Sequence, residues 1–285
     1  MRRFFVLLII TMHTIITTSY SQTPDSIEVF LLTCYPGLDI ETVYGHSAIR
    51  VVNHNSQTDS VYSWGVYDFA APHFAWKFAK GQLKYQVAGG SLNSFLDGFF
   101  YEQRSVISQK INLLDEEKIS IIKLINKNLL PENKFYLYDF FYDNCATKIR
   151  DLVEQTTVTN LVYTTTTNVK NLTFRKLIDE AQKPLPWYTF GTDLLIGIPG
   201  DKIADLRDQM FLPEYLMKNL STVMITRNGT LVPLLQDPVT LLSFKRKETK
   251  NLRLFQPVWL FTILAVIVTL ISIRFRHNLT LLWVD

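Results

Sequence analysis

Only two cysteines, Cys34 and Cys145, occur in 285 residues. So few cannot make a disulfide framework, although a single Cys34–Cys145 bridge stays open as an alternative in an oxidising compartment. Neither cysteine lies in a C-x-x-C pair and no two of the five histidines have H-x-x-x-H spacing, so no metal site is expected. No glycine-rich phosphate loop and no G-x-S-x-G elbow is present, and no cofactor is expected. Charge of one sign is also missing. With 29 basic and 26 acidic residues the net charge is +3, and no basic stretch is interleaved with aromatics, which argues against a nucleic-acid partner. The chain shows no internal repeat and no low-complexity segment.

What is present begins with a 47% hydrophobic composition, enough for one sizeable core. Residues 1–21 combine Arg2 and Arg3, an apolar run and small residues at Ser19 and Ser21, the pattern of a secretory signal peptide cleaved before Gln22. An uncleaved anchor is the alternative. Residues 255–273 contain no charge and are about as long as a bilayer needs, whereas a buried core helix is seldom apolar all round. Basic residues flank this run on both sides, so the export signal sets the orientation, with the domain outside and Arg274 inside. The expected layout is a periplasmic domain at 22–245, a basic juxtamembrane linker at 246–254 and a membrane span at 255–273. Residues 274–285 then form a cytoplasmic segment or the start of a further span of a longer protein.

Within the exported region, strands are expected at 27–34, 42–52, 60–69, 84–87 and 105–113, with a polar turn at 53–59. Helices are expected at 72–80, at 91–100 capped by Ser91, and at 173–182 and 213–220. Asp115 should cap another, whose Ile119, Ile122, Ile125 and Leu129 form one stripe. Asn228-Gly229 marks a hairpin. This is an α+β pattern with an antiparallel sheet. Gly45, inside the second expected strand, points to a bulge or a close backbone approach.

The chemistry centres on YLYDFFYDNCATKIRDLV, residues 136–153, read as an aromatic strand turning at Asp143-Asn144 into a helix. Asn144 is a good N-cap type, which puts Cys145 first in that helix, facing its unpaired N–H groups. The helix terminus contributes about 1 kcal/mol, which lowers a thiol pKa of about 8.5 by less than one unit. A nucleophilic thiol therefore also needs a histidine; a buried, inert cysteine is the competing reading. His13 falls in the signal segment, His277 beyond the span, His54 in a polar turn and His73 beside a short aromatic helix. His46 sits mid-strand on a face with Tyr44, Ala48 and Arg50. A strand-borne imidazole opposite a helix-borne thiol is the papain-like solution, here with the base ahead of the nucleophile in the chain.

The phrases LLTCYPG, VYGHSAIRV, PENKFYLYDFFYDNCATKIRDL, LTFRKLI, PWYTFGTDLLIG and MFLPEYL resemble the Lnb-type N-terminal periplasmic domain over about residues 27–235. The resemblance implies a permuted papain-like fold, related to lecithin:retinol acyltransferase, on a chain held at the inner membrane with its domain in the periplasm. It implies the activity of the lipoprotein N-acyltransferases of Bacteroidota-like bacteria, with His46 and Cys145 as the dyad. Cys145 would take an acyl chain from a phospholipid as a thioester and pass it to the α-amine of a diacylated lipoprotein. The Cys145 N–H becomes a candidate oxyanion donor. Asp68 is the first candidate for orienting His46, with Asp143 and Tyr44 after it and Asn144 in support. Phe69, Phe74, Trp76 and Phe78 are candidates for an acyl groove, and an aromatic core explains them as well. Two other functions use the same residues: a papain-like cell-wall peptidase or amidase, and a non-catalytic periplasmic binding module.

Overall fold

In the computed structural model, which describes residues 26–67, 82, 84–157, 161–163, 172–227, 229–245 and 256–275, β-branched and aliphatic residues build a seven-stranded antiparallel sheet. In chain order the strands are β1 (Ile27–Cys34), β2 (His46–Asn53), β3 (Thr58–Val66), β4 (Lys84–Ser91), β5 (Val106–Lys110) and β6 (Phe135–Leu137). Shorter ones follow: β7 (Val162–Tyr163), β8 (Leu172–Thr173), β9 (Ile203–Ala204), β10 (Val223–Arg227), β11 (Thr230–Pro233) and β12 (Val239–Leu242). The main sheet runs β12-β5-β1-β2-β3-β4-β6, and β11-β10-β7 and β8-β9 form two smaller ones.

Seven α-helices lie among the described residues: α1 (Leu92–Tyr101), α2 (Asp115–Leu129), α3 (Cys145–Thr156), α4 (Phe174–Gln182), α5 (Pro186–Ile196), α6 (Pro213–Leu220) and α7 (Pro257–Arg274). The chain is thus α+β with antiparallel sheets. One sheet face, carrying Val29, Leu31, Ile49, Val51 and Trp64, packs on Ile121 and Ile125 of α2 and on Ala146, Ile149 and Val153 of α3. Ala146, Ile149 and Val153 recur at helical spacing, so α3 presents a continuous apolar stripe to that face. Each fully buried aliphatic side chain there contributes about 1.5–3 kcal/mol. The opposite face, with Leu32, Ala48 and Val61, is covered by Leu92 and Phe95 of α1. A separate aromatic cluster of Phe174 and Phe211 with Phe140 and Phe141 seats α4 beside the start of α3.

β1, Ser91 as the cap of α1, and the turn at Asn53 agree with the sequence reading. Several boundaries differ. β2 begins at His46 rather than at residue 42, because Gly45 is in the left-handed region (φ +80) and approaches the Cys34 carbonyl so closely that a Cβ would lie 2.7 Å from its oxygen. The aromatic run pairs as a strand only over Phe135–Leu137. After it, Asp139 Oδ1 accepts the N–H groups of Phe141 and Tyr142 and turns the chain away from the sheet. In α2 the N-terminal N–H of Leu114 is met by Glu117 rather than by Asp115, and the buried stripe is Ile121 and Ile125 while Ile119 is exposed. The hairpin forms as β10–β11, with Gly229 at φ +77. Helix α5 was not expected at all. The signal segment, the expected helix at 72–80, the linker at 246–254 and residues 276–285 fall outside the described residues.

Helix α7 contains 18 residues, has mean hydropathy 2.1 and buries only Pro257, so it is long and apolar enough to cross a membrane.

Candidate active site

Cys145 is the first residue of α3, and Asn144 fixes it there. The Asn144 Oδ1 accepts the N–H groups of Ala146 (2.8 Å) and Thr147 (2.9 Å), while Thr147 Oγ1 accepts the Asn144 N–H (2.8 Å). Its Nδ2 donates to the carbonyls of Phe140 (2.8 Å) and Phe211 (2.9 Å). Every polar valence of this buried amide is therefore engaged in holding the helix start against two neighbouring segments. Its role in the fold is to position Cys145.

The thiol itself sits where the sheet splits. Pairing of β2 with β3 ends at Ala48↔Ser63, and β3 shifts register between Ser63 and Val66 around Gly65, whose φ is +83. A Cβ on Gly65 would lie 3.6 Å from the Cys145 Cβ. Backbone N–H groups of Ser47, Ala146 and Cys145 converge on the sulfur and favour its anion, as does the Arg104 guanidinium; burial opposes them and wins. The net direction is upward from the ordinary thiol range. The helix terminus alone suggested the reverse, because the depth of the site is not visible in one helix start. Cys145 is accordingly a protonated thiol at neutral pH. Both cysteines are free, so the Cys34–Cys145 bridge is not formed.

His46 opens β2, paired across β1 with Cys34. Burial first, and the nearby Arg104 charge second, lower its pKa to about 4, leaving a neutral imidazole at pH 7. Its ring stacks on Phe99 of α1 at 6.4 Å between centroids and 18° between planes, and Arg104 lies over the same Phe99 ring at 4.7 Å. Ser47 and Ile49 point to the α3 side of the sheet, whereas His46 shares its side with Ala48, under α1. Imidazole and thiol thus approach the split from the two faces of the sheet. Among the described residues no hydrogen bond joins them.

Both residues line one cavity of about 520 Å³, together with Tyr44, Gly65, Tyr138 and Tyr188. Its lining is mostly apolar and strongly aromatic. Tyr138 stacks on Tyr85 at 4.4 Å, and burial pushes the Tyr138 hydroxyl well above its usual range. Tyr44 accepts a hydrogen bond from Gln182 and lies edge-on to Phe140; burial raises its hydroxyl as well, keeping it a neutral phenol. Asp143 does not line the cavity; it pairs with Lys148 at 2.6 Å. Asp68 and the expected groove residues Phe69, Phe74, Trp76 and Phe78 fall outside the described residues. Among the described residues no group of three or more His, Cys, Asp or Glu could hold a metal ion.

Sequence reasoning did not single out Gly65, the Ser47 N–H, Tyr138 or Tyr188. Gly65, inside a run that otherwise reads as strand, carried the signal of a bulge. The others depend on which strand stops pairing and on an unforeseen helix.

A helix-start thiol and a strand-borne histidine lining one aromatic cavity define the class: a cysteine-centred α+β domain beside a membrane-length helix. The Lnb N-terminal periplasmic domain model matches residues 17–180, more than half of the chain and the whole span from His46 to Cys145. The chain belongs to that family. No curated protein and no solved structure matches it.

Proposed function

We propose that this protein is a lipoprotein N-acyltransferase working through a Cys145 thioester, on a permuted papain-like domain held at the outer surface of the inner membrane. The observation that carries the reading is a helix-start thiol sharing an apolar cavity with a neutral imidazole in a chain with a membrane-length helix. Family membership supports it. A thiol and imidazole that are both uncharged suit a route in which proton transfer accompanies attack, rather than a preformed thiolate–imidazolium pair.

In the first step Cys145 Sγ bonds to the ester carbonyl carbon of a phospholipid, and its proton passes to His46. The carbon–oxygen bond then breaks, and the departing lysophospholipid oxygen takes that proton. In the second step the α-amine of a diacylated lipoprotein attacks the thioester carbon and yields a proton to His46. The carbon–sulfur bond breaks, the sulfur is reprotonated and an amide forms. Backbone N–H groups of Cys145 and Ser47, which favour the anionic sulfur, are the candidate oxyanion donors. His46 and Cys145 share the cavity without a hydrogen bond between them, and the bound acyl donor completes their approach. The aromatic lining suits an acyl chain better than a polar cell-wall peptide.

The test is trapping. Full-length protein in phospholipid vesicles should gain an acyl mass on Cys145 that hydroxylamine removes, absent in Cys145→Ala. Cleavage of cell-wall peptides with no acyl adduct would replace this reading with that of a peptidase; normal transfer by Cys145→Ser or His46→Ala would leave a binding module.

A further inference from the structure

Helix α5 has two unlike faces and buries no residue. Tyr188, Thr192 and Leu195, spaced for one face, line the cavity that holds Cys145. Trp187, Phe190 and Leu194, spaced for the next, form the other face: Trp187 and Phe190 touch Phe261 of α7 at 6.4 and 5.2 Å between ring centroids. Phe261 lies in the second turn of α7, which is long and apolar enough to cross a membrane and buries only Pro257. Beyond that contact the apolar stripe continues into solvent: Leu194 is 69%, Leu195 88% and Ile198 88% exposed. Across the cavity mouth Ile40 is 57% exposed. The single charge on α5, Asp193, is neutralised by Arg175 at 2.7 Å.

We infer that the C-terminal end of α5, with Leu194, Leu195 and Ile198, inserts into the acyl region of the outer leaflet beside α7, so that the cavity opens directly into lipid. Three neighbouring, largely exposed aliphatic side chains are unfavourable in water and favourable in hydrocarbon. The packing of α5 on the first turns of α7 puts them at the depth where the span enters the bilayer. Because Leu195 belongs both to the rim and to the cavity lining, a phospholipid acyl chain could pass from leaflet to Cys145 without crossing water. This rests on the acyl-transfer reading for its purpose, but lipid contact can be measured without turnover.

The experiment uses full-length protein in vesicles of phosphatidylethanolamine and phosphatidylglycerol. A nitroxide on Ile198→Cys, in a Cys145→Ala background, should be more accessible to oxygen than to an aqueous nickel chelate, and a nitroxide on exposed Glu116→Cys the reverse. In parallel, Leu194→Ser/Ile198→Ser, at two positions that do not line the cavity, should slow acylation from vesicle phospholipid by about tenfold or more, because two large apolar side chains leave lipid. Its acylation by a water-soluble short-chain ester should be unchanged. A nickel-accessible Ile198 label, or equal slowing with both donors, would overturn the inference. Insertion of the label with no acyl adduct from any donor would instead leave the inference standing and remove the proposed function.

Discussion

Replacing Asn144 by alanine tests whether the geometry around the thiol has been read correctly. The side chain accepts two N–H groups at the start of α3 and donates to the carbonyls of Phe140 and Phe211. Loss of an N-cap costs about 1 kcal/mol. Two buried carbonyls left without their donor cost about 1 kcal/mol each. The sum, about 3 kcal/mol, corresponds to a fall in melting temperature of about 10 °C for a domain of this size. Urea unfolding of the full chain in non-ionic micelles, followed by tryptophan fluorescence, should show a lower midpoint at unchanged slope. Asn144→Ser keeps an acceptor but loses both donated bonds, and should fall between wild type and Asn144→Ala. A loss below about 1 kcal/mol in Asn144→Ala would refute the claim that this amide pins the helix start.

Other expectations follow from the same site. His46 has a folded pKa of about 4 against an ordinary value of 6.5, so the unfolded chain binds the proton more tightly. Its contribution is complete above pH 6.5 and is lost as pH falls towards 4, up to about 3 kcal/mol in a stability–pH profile. The acid limb of Cys145 acylation should likewise lie near pH 4, and a limb near 6.5 would show that the imidazole is not buried as described. Replacing Arg104 by methionine removes a repelling charge and should move that limb upward; an unchanged limb would rule out Arg104 as a cause. Gly45→Ala, with φ +80 and a Cβ 2.7 Å from the Cys34 carbonyl oxygen, should destabilise by about 2 kcal/mol or more in the same urea assay.

The elements legible in the sequence were those set by local chemistry. β1 is a mostly apolar run buried throughout its second half, Ser91 and Asn144 are cap types, and the β10–β11 turn has its glycine at positive φ. Where tertiary partners decide, the reading slipped. Glu117 is fully buried and paired with Arg227 of β10, and on α2 Ile125 is buried with Ile122 and Leu129 packed on the core as expected, while Ile121 takes the place of the exposed Ile119. The aromatic run after Leu137 alternates like a strand but is turned by Asp139. Helix α5 carries Pro186 and Gly191 and is apolar on both faces, since the cavity takes one and α7 the other. At the site, His46 and Cys145 were legible as types in context. The split between β2 and β3 that exposes the Ser47 N–H to the sulfur was not, because it depends on where pairing stops.

The most direct measurement follows the acyl group itself. Full-length protein in vesicles whose phospholipid carries an isotopically heavy acyl chain is given a diacylated lipopeptide, and the peptide is weighed. A heavy acyl chain on its terminal amine, appearing with wild type and absent with Cys145→Ala and with His46→Ala, is the result expected. Transfer that persists without the Cys145 sulfur, or a peptide that is cleaved rather than acylated, would contradict the account.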